Sequence, residues 1–181
     1  MMNSRIEDIT GNPRGLHITP RGNLVSENTL ENSIHEGRRY FYLDYEAIID
    51  EQIVTFLMIP DENYKVHVDM ILNSTVLCQV ELLLNCTIGD YGTELDIRNH
   101  NQEFIFSNPF KSKAYKNSTI INADESVIAK NIINANKKLG ASRFDTGEFI
   151  LAFPYKTAVR VTALEGPGYL SWEFGFSEVA Y

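Results

Sequence analysis

Histidine, tryptophan and cysteine are scarce in this chain, which has 4, 1 and 2 of them among 181 residues. No pair of histidines has the spacing of a metal site, and neither Cys78 nor Cys86 has a further cysteine or histidine at zinc-ligand spacing. The two cysteines would lie about 26 Å apart along one predicted strand, whereas a disulfide needs Cα atoms within about 7 Å. We therefore expect reduced core cysteines, no bound metal and no cofactor.

Long apolar runs and an excess of basic residues are also absent. The longest apolar stretches, such as residues 53–59, stop far short of the roughly 20 residues of a spanning helix. With 24 acidic and 16 basic residues the net charge is −8, and no basic stripe suits nucleic acid. The first eight residues carry acids where a secretory signal would be apolar. We expect synthesis in a cytosol, with neither membrane nor nucleic acid as a partner.

The chain divides into two parts by composition. Residues 1–33 are polar, rich in glycine and proline, and without strand or helix period, which predicts an extended N-terminal arm. Such an arm is ordered mainly when a neighbour holds it. Residues 34–181 form the second part, which we expect to be one globular domain because a chain of this length can enclose a single core.

Apolar residues in the second part alternate with polar ones, as in strands with one buried face. The clearest alternation runs from Val76 to Cys86, and another places Leu170, Trp172, Phe174 and Phe176 on one face. Leu77 and Leu83 interrupt the polar face of the first, so part of that face should be covered. Turn sequences separate many short strands, including a candidate at Glu103–Phe106. The pattern predicts an all-β antiparallel sandwich or jelly roll.

Residues 124–139 admit two interpretations. A possible cap, Ile128 and Ile132 at helical spacing and a terminal Gly140 are compatible with a short helix. The β-branched residues and the asparagines favour instead a strand over 126–133 followed by a polar loop. We favour the strand.

The first predicted strand carries aromatic residues on both faces. Phe41 and Leu43 share one face, which we assign to the core, and this leaves Tyr40, Tyr42 and Arg38 on the other face. Tyrosine and arginine are enriched at protein interfaces. We therefore predict a subunit interface at Arg38, Tyr40 and Tyr42; cover by another part of the same chain and a carbohydrate-stacking platform are the alternatives.

Polar groups that could support catalysis do not form a recognisable set. His67 and Asp69 share a strand face and could pair, most simply as an ion pair. The acidic residues Asp90, Glu94 and Asp96 match no calcium loop, and the glycine-containing turns lack the context of phosphate loops. No nucleophile or acid–base set accompanies them, so we expect no catalytic residues and no enzyme.

A series of short motifs, in its order along the chain, resembles a family of small β-sandwich structural proteins encoded among the virion genes of tailed bacteriophages. The motifs span about residues 34–178 and are Ile34-His35-Glu36-Gly37, Gly92-Thr93-Glu94, Asn99-His100-Asn101, Glu148-Phe149-Ile150-Leu151, Pro154-Tyr155-Lys156-Thr157, Val161-Thr162 and Ser171-Trp172-Glu173-Phe174. The residues that carry the resemblance most directly are His35, Glu36, Gly37, Asn99 and Trp172.

The resemblance implies a non-enzymatic component of the virion. It implies a capsid decoration or cement protein, often trimeric, whose partners are capsid protein subunits and further copies of itself. A tail- or fibre-associated module that binds a receptor or glycan is the alternative. The two differ in a testable way, because the first attaches to the capsid shell and the second binds saccharide in isolation.

Overall fold

The computed structural model describes residues 6–7, 13–14, 16–18, 24–26, 34, 36–104, 107–133 and 142–181. The strands, in chain order, are β1 (Ile6–Glu7), β2 (Pro13–Arg14), β3 (Leu16–Ile18), β4 (Leu24–Ser26), β5 (Arg39–Ile48), β6 (Ile53–Ile59), β7 (Tyr64–Ser74), β8 (Cys78–Leu84), β9 (Ile88–Asp90), β10 (Thr93–Glu94), β11 (Arg98–Asn99), β12 (Lys113–Lys116), β13 (Thr119–Ile120), β14 (Val127–Ile133), β15 (Ser142–Ala152), β16 (Thr157–Ala163) and β17 (Gly168–Ala180). Two 3₁₀ turns, Gln102–Phe104 and Asp124–Ser126, complete the regular elements. Among the described residues no helix is long and apolar enough to span a membrane.

Two large antiparallel sheets form the body of the molecule. One has six strands in the order β10-β12-β6-β16-β8-β14, and the other has five in the order β11-β5-β17-β7-β15. The apolar faces of the two sheets pack against each other, which is how antiparallel sheets bury one face each. The predicted all-β antiparallel sandwich is therefore confirmed.

The core lies between the sheets and follows the alternation of the strands. In β7 every second residue from Val66 to Leu72 is buried, and in β17 the buried row runs from Leu170 through Trp172 and Phe174 to Phe176. The Phe56 ring contacts Trp172 and Phe174 from the opposite sheet, with ring centroids 4.9 and 5.0 Å apart. The inward placement of Trp172 is thus confirmed.

A second, smaller hydrophobic cluster covers part of the outer face of the six-stranded sheet. Leu57, Leu83 and Ala158 project there from β6, β8 and β16 and are fully buried. Side chains from the segments that carry β9, β13 and the second 3₁₀ turn, including Ile88 and Ile120, pack over them. This cover explains the apolar Leu83 on a face that is otherwise polar.

Some local predictions are confirmed and others are wrong. Residues 127–133 form β14, so the strand interpretation of that segment is confirmed. The strand expected at 103–106 is wrong, because Gln102–Phe104 is a 3₁₀ turn that begins where the Asn101 side chain accepts the Glu103 amide, at 3.1 Å. Such side-chain acceptors favour turns over strands.

The predicted N-terminal arm, residues 1–33, lies mostly outside the described residues. The parts that are described form two short antiparallel ladders, β1 with β2 and β3 with β4. Neither ladder is hydrogen-bonded to the two large sheets. Short strands thus occur where the sequence shows no strand period.

Candidate functional site

The interface predicted on β5 is wrong, because the face that carries Tyr40 and Tyr42 is turned towards the core. Tyr40 is 2% exposed, and its ring lies 5.2 Å from that of Phe110. Tyr42 is half-buried against the core, and its hydroxyl donates to Asp44 Oδ2 at 3.1 Å. Leu43, which we expected in the core, is 63% exposed. Of the three predicted interface residues only Arg38 is exposed.

Tyrosine is suited to core positions 40 and 42, because its ring can be buried while its hydroxyl reaches a polar partner. Burial, together with the charge of Glu178, raises the pKa of Tyr40 to about 12. Burial, together with Asp44, raises the pKa of Tyr42 to about 12. Both phenols therefore stay protonated at ordinary pH and can act only as neutral hydrogen-bonding groups.

The outer face of the five-stranded sheet carries exposed apolar residues instead. Leu43 and Tyr45 project there from β5 and Tyr169 from β17, and Tyr45 and Tyr169 are 70% and 59% exposed, while Ile71 of β7 is half-buried on the same face. The register places Glu173 directly between Leu43 and Ile71. We call these four apolar residues, together with Glu173, the outer patch. Contiguous exposed apolar surface of this kind typically marks an interaction site.

Two of the residues that carry the family resemblance meet at one corner of the sandwich. The buried Asn99 donates through Nδ2 to the carbonyl of Gly37 at 2.7 Å, and Asn108 Nδ2 donates to the same oxygen at 2.7 Å. Asn99 Oδ1 accepts the Asn101 amide at 2.9 Å. Gly37 has a φ of +66°, and the ring of Phe104 occupies the space that a Cβ would need. These contacts hold the chain at the point where β5 begins.

Glu36 and Trp172, the other described motif residues, do not join this corner. Glu36 is exposed and forms an ion pair with Arg38. Trp172 lies in the core between the sheets, and His35 lies outside the described residues. The described motif residues therefore do not assemble into one site.

A polar cleft of about 270 Å³ opens beside that corner. Its lining includes Arg38, Tyr40, Tyr64, Lys111 and Glu178. Both oxygens of the buried Glu178 are already used: they accept the amides of Lys111 and Ser112 and the Ser112 hydroxyl, at 2.7–3.2 Å. Glu178 thus ties the loop before β12 to the last strand rather than serving as a free acid or base.

A half-buried ion pair lies between the sheets. Lys116 Nζ is 2.6 Å from Glu46 Oε2 and 4.3 Å from the centroid of the Trp172 ring. Glu46 Oε1 and Trp172 Nε1 are buried and have no hydrogen-bond partner among the described groups. The pair crosses from one sheet to the other, and removing one partner would leave a poorly solvated charge behind.

A second charged cluster lies on the outer face of the six-stranded sheet. Glu81, only 3% exposed, accepts from Arg160 Nε at 2.7 Å and lies 3.2 Å from Lys130 Nζ. Burial opposes ionisation of Glu81, but the hydrogen bonds from Arg160 and Lys130 outweigh it and hold the pKa of that carboxyl below its ordinary value. Glu81 is therefore an ionised structural acid.

The remaining polar candidates are dispersed. His67 and Asp69 project from the same face of β7, and Asp69 forms an ion pair with Arg39. Cys78 and Cys86 are buried and not disulfide-bonded, and burial raises the pKa of both thiols, to about 11 for Cys86. Within the described ranges no three His, Cys, Asp or Glu side chains are grouped so that they could hold a metal ion.

A scan against protein-family models gave no match, and a search of curated proteins found no significantly similar sequence. The fold, the outer patch and the ordered motifs are therefore the features that bear on function.

Proposed function

We propose that this chain is a capsid decoration protein of a tailed bacteriophage. In this proposal it is a non-enzymatic virion component, made in the host cytoplasm, that binds capsid protein subunits through its sandwich and its arm, residues 1–33. The ordered motifs across residues 34–178 support the phage assignment. A homotrimer is part of the proposal, since proteins of the family it resembles are often trimeric.

The observation that carries the proposal is the order of the eight long strands. Numbered one to eight along the chain, they are β5, β6, β7, β8, β14, β15, β16 and β17. The five-stranded sheet has them in the order one-eight-three-six, and the six-stranded sheet has two-seven-four-five. We infer from this order that the sandwich is a jelly roll, the architecture of many viral capsid domains and also of lectins.

One fold supports many functions, so a jelly roll supports the decoration role by analogy. The location of the chain on a particle therefore decides the proposal. Particles that lack this protein should bind the purified full chain at the capsid shell. Binding to tails alone, or no binding at all, would contradict the decoration role.

The N-terminal arm provides a second comparison in the same experiment. A variant without residues 1–33 should keep the β-rich circular dichroism signal and bind the particles more weakly. We expect this because β1–β4 are not hydrogen-bonded to the large sheets in the described residues. Equal binding by the truncated chain would show that the sandwich alone makes the contact.

A glycan-binding role is the second candidate, and one observation favours it. Tyr45 and Tyr169 lie near each other on adjacent strands of the outer patch with most of each side chain exposed. Exposed aromatic rings are suited to stacking on sugar rings. Saccharide binding by the isolated chain that is lost in Tyr45→Ala, with capsid binding absent, would favour this function over decoration.

A further inference from the structure

The outer patch has a charge at its centre that no described group neutralises. Glu173 lies between Leu43 and Ile71, one strand away on each side, so about 5 Å separates each neighbouring pair of backbones. Glu173 is exposed and makes no ion pair or side-chain hydrogen bond with another described residue. The patch therefore presents an apolar–acidic–apolar row, which a partner could cover favourably only by supplying a cation amid apolar groups.

The same chain presents the complementary pattern on β14. Ile128 and Ile132 are 58% and 55% exposed, and Lys130 lies between them with a side chain that is 55% exposed. Lys130 shares Glu81 with Arg160, which makes the shorter contact, so its ammonium keeps donors free for a further partner. Ile132 lies two residues beyond Lys130 in regular register, so it projects from the same face about 7 Å further along the strand. Ile128 lies on the other side of Lys130, where the register of β14 shifts between Val127 and Ala129.

Among the described strands, β14 is also an edge of the six-stranded sheet, where it pairs with β8 alone. An edge strand with exposed isoleucines is a surface that proteins normally cover or protect, because it can pair with other chains. The outer patch and β14 lie on different sheets of the sandwich. One copy therefore cannot bring them together without unfolding, whereas two copies can.

We infer that the outer patch of one copy binds β14 of the next copy, with Lys130 on Glu173 and the isoleucines against Leu43 and Ile71. The contact joins two different surfaces, so it is heterologous and leaves one of each surface free at the ends of any open assembly. In a closed ring, every copy has both its outer patch and its β14 bound to a neighbour. This inference does not require attachment to a capsid, and it is compatible with a trimer.

Paired cysteines provide the direct test, because the native Cys78 and Cys86 are buried. Leu43→Cys would be combined with Ile132→Cys, and in a second protein with Ile128→Cys, which covers both strand directions. Under mild oxidation one of the two double variants should form a covalent ladder that stops at the ring size. Each single variant should stay uncrosslinked. Crosslinking of Leu43→Cys alone would show a face-to-face contact, and no ladder from either double variant would overturn the inference.

The charge contact can be tested in the uncrosslinked full chain by sedimentation. Glu173→Gln and Lys130→Gln should each lower the association constant by about fivefold, and the double variant should be little weaker than either single one. Glu62→Gln, an exposed acid in the loop between β6 and β7, is the matched control and should have no effect. Fully additive effects, or a wild-type chain that remains monomeric throughout the concentration series, would contradict the contact. Particle binding is measured separately, so failure of the decoration role would be distinguishable.

Discussion

The guanidinium of Arg39 passes over Gly175 on the neighbouring strand and pairs with Asp69 one strand further on. Arg39 Nη1 also donates to Ser177 Oγ at 3.3 Å, and the Arg39 side chain is only 12% exposed. A Cβ at position 175 would occupy the space that the guanidinium and the carboxylate fill. The absence of a side chain at Gly175 is therefore what lets one ion pair link three strands on the outer face of the five-stranded sheet.

Gly175→Ala should destabilise the protein by about 1 kcal/mol, because the ion pair must move away from the new methyl group. In the background of Asp69→Ala the same substitution should be neutral or slightly stabilising, since alanine costs less backbone entropy than glycine. Chemical unfolding of the four proteins measures the coupling. A cost for Gly175→Ala that is the same in both backgrounds would show that the ion pair is not its cause.

Trp172→Ala should lower the free energy of unfolding by about 3–5 kcal/mol through lost burial and a cavity. The loss also removes the ring beneath Lys116. Trp172→Phe is the matched control and should cost less, because it retains most of the packing. The wild-type protein should show the blue-shifted emission of a buried indole, and emission typical of exposed tryptophan would contradict the position described.

Asn99→Ala should cost about 1–3 kcal/mol, because the carbonyl of Gly37 and the amide of Asn101 each lose a partner. Asn99→Asp retains the oxygen that accepts the Asn101 amide but loses the amide that donates to the Gly37 carbonyl. It therefore measures the contact with Gly37 alone. Asn63→Ala, at an exposed turn, is the control. Thermal unfolding gives the ranking, and equal effects of all three substitutions would argue against the corner.

Glu81 should make stability depend on pH in the acidic range. Its pKa is lowered in the folded protein, so the ionised carboxylate adds stability above the ordinary glutamate value of about 4.5, and this contribution is lost as the pH falls through the lower folded value. The stability difference between wild type and Glu81→Gln should therefore shrink on acidification. A difference that is constant between neutral and acidic pH would contradict the sign.

The sequence was informative where polar and apolar residues alternate cleanly. The row from Leu170 to Phe176 could be predicted because its alternate residues are apolar and only one face of that strand is buried. The strand at 127–133 could be predicted for a different reason, since β-branched residues and asparagines disfavour a helix there. The face of β5 could not, since Tyr40, Phe41, Tyr42 and Leu43 are all apolar enough to be buried. Alternation in this segment predicts a strand but does not show which of its two faces is buried.

The outer patch and the Arg39–Asp69 pair depend on register, which local sequence does not encode. Glu173 becomes the centre of an apolar row only when β17 lies between β5 and β7. Residues 43, 71 and 173 are far apart along the chain, and no short motif joins them. The turn at 102–104 was missed for a different reason, because its apolar Phe104 packs against Gly37 rather than into a sheet.

The measurement that tests the central claim most directly is an electron cryo-microscopy reconstruction of purified particles of the phage that the proposal assigns to this chain. The proposal predicts that the sandwich fits density on the outer capsid shell, with the outer patch of one copy against β14 of the next. Density for the chain confined to the tail or fibres, or its absence from the particle, would contradict the decoration role.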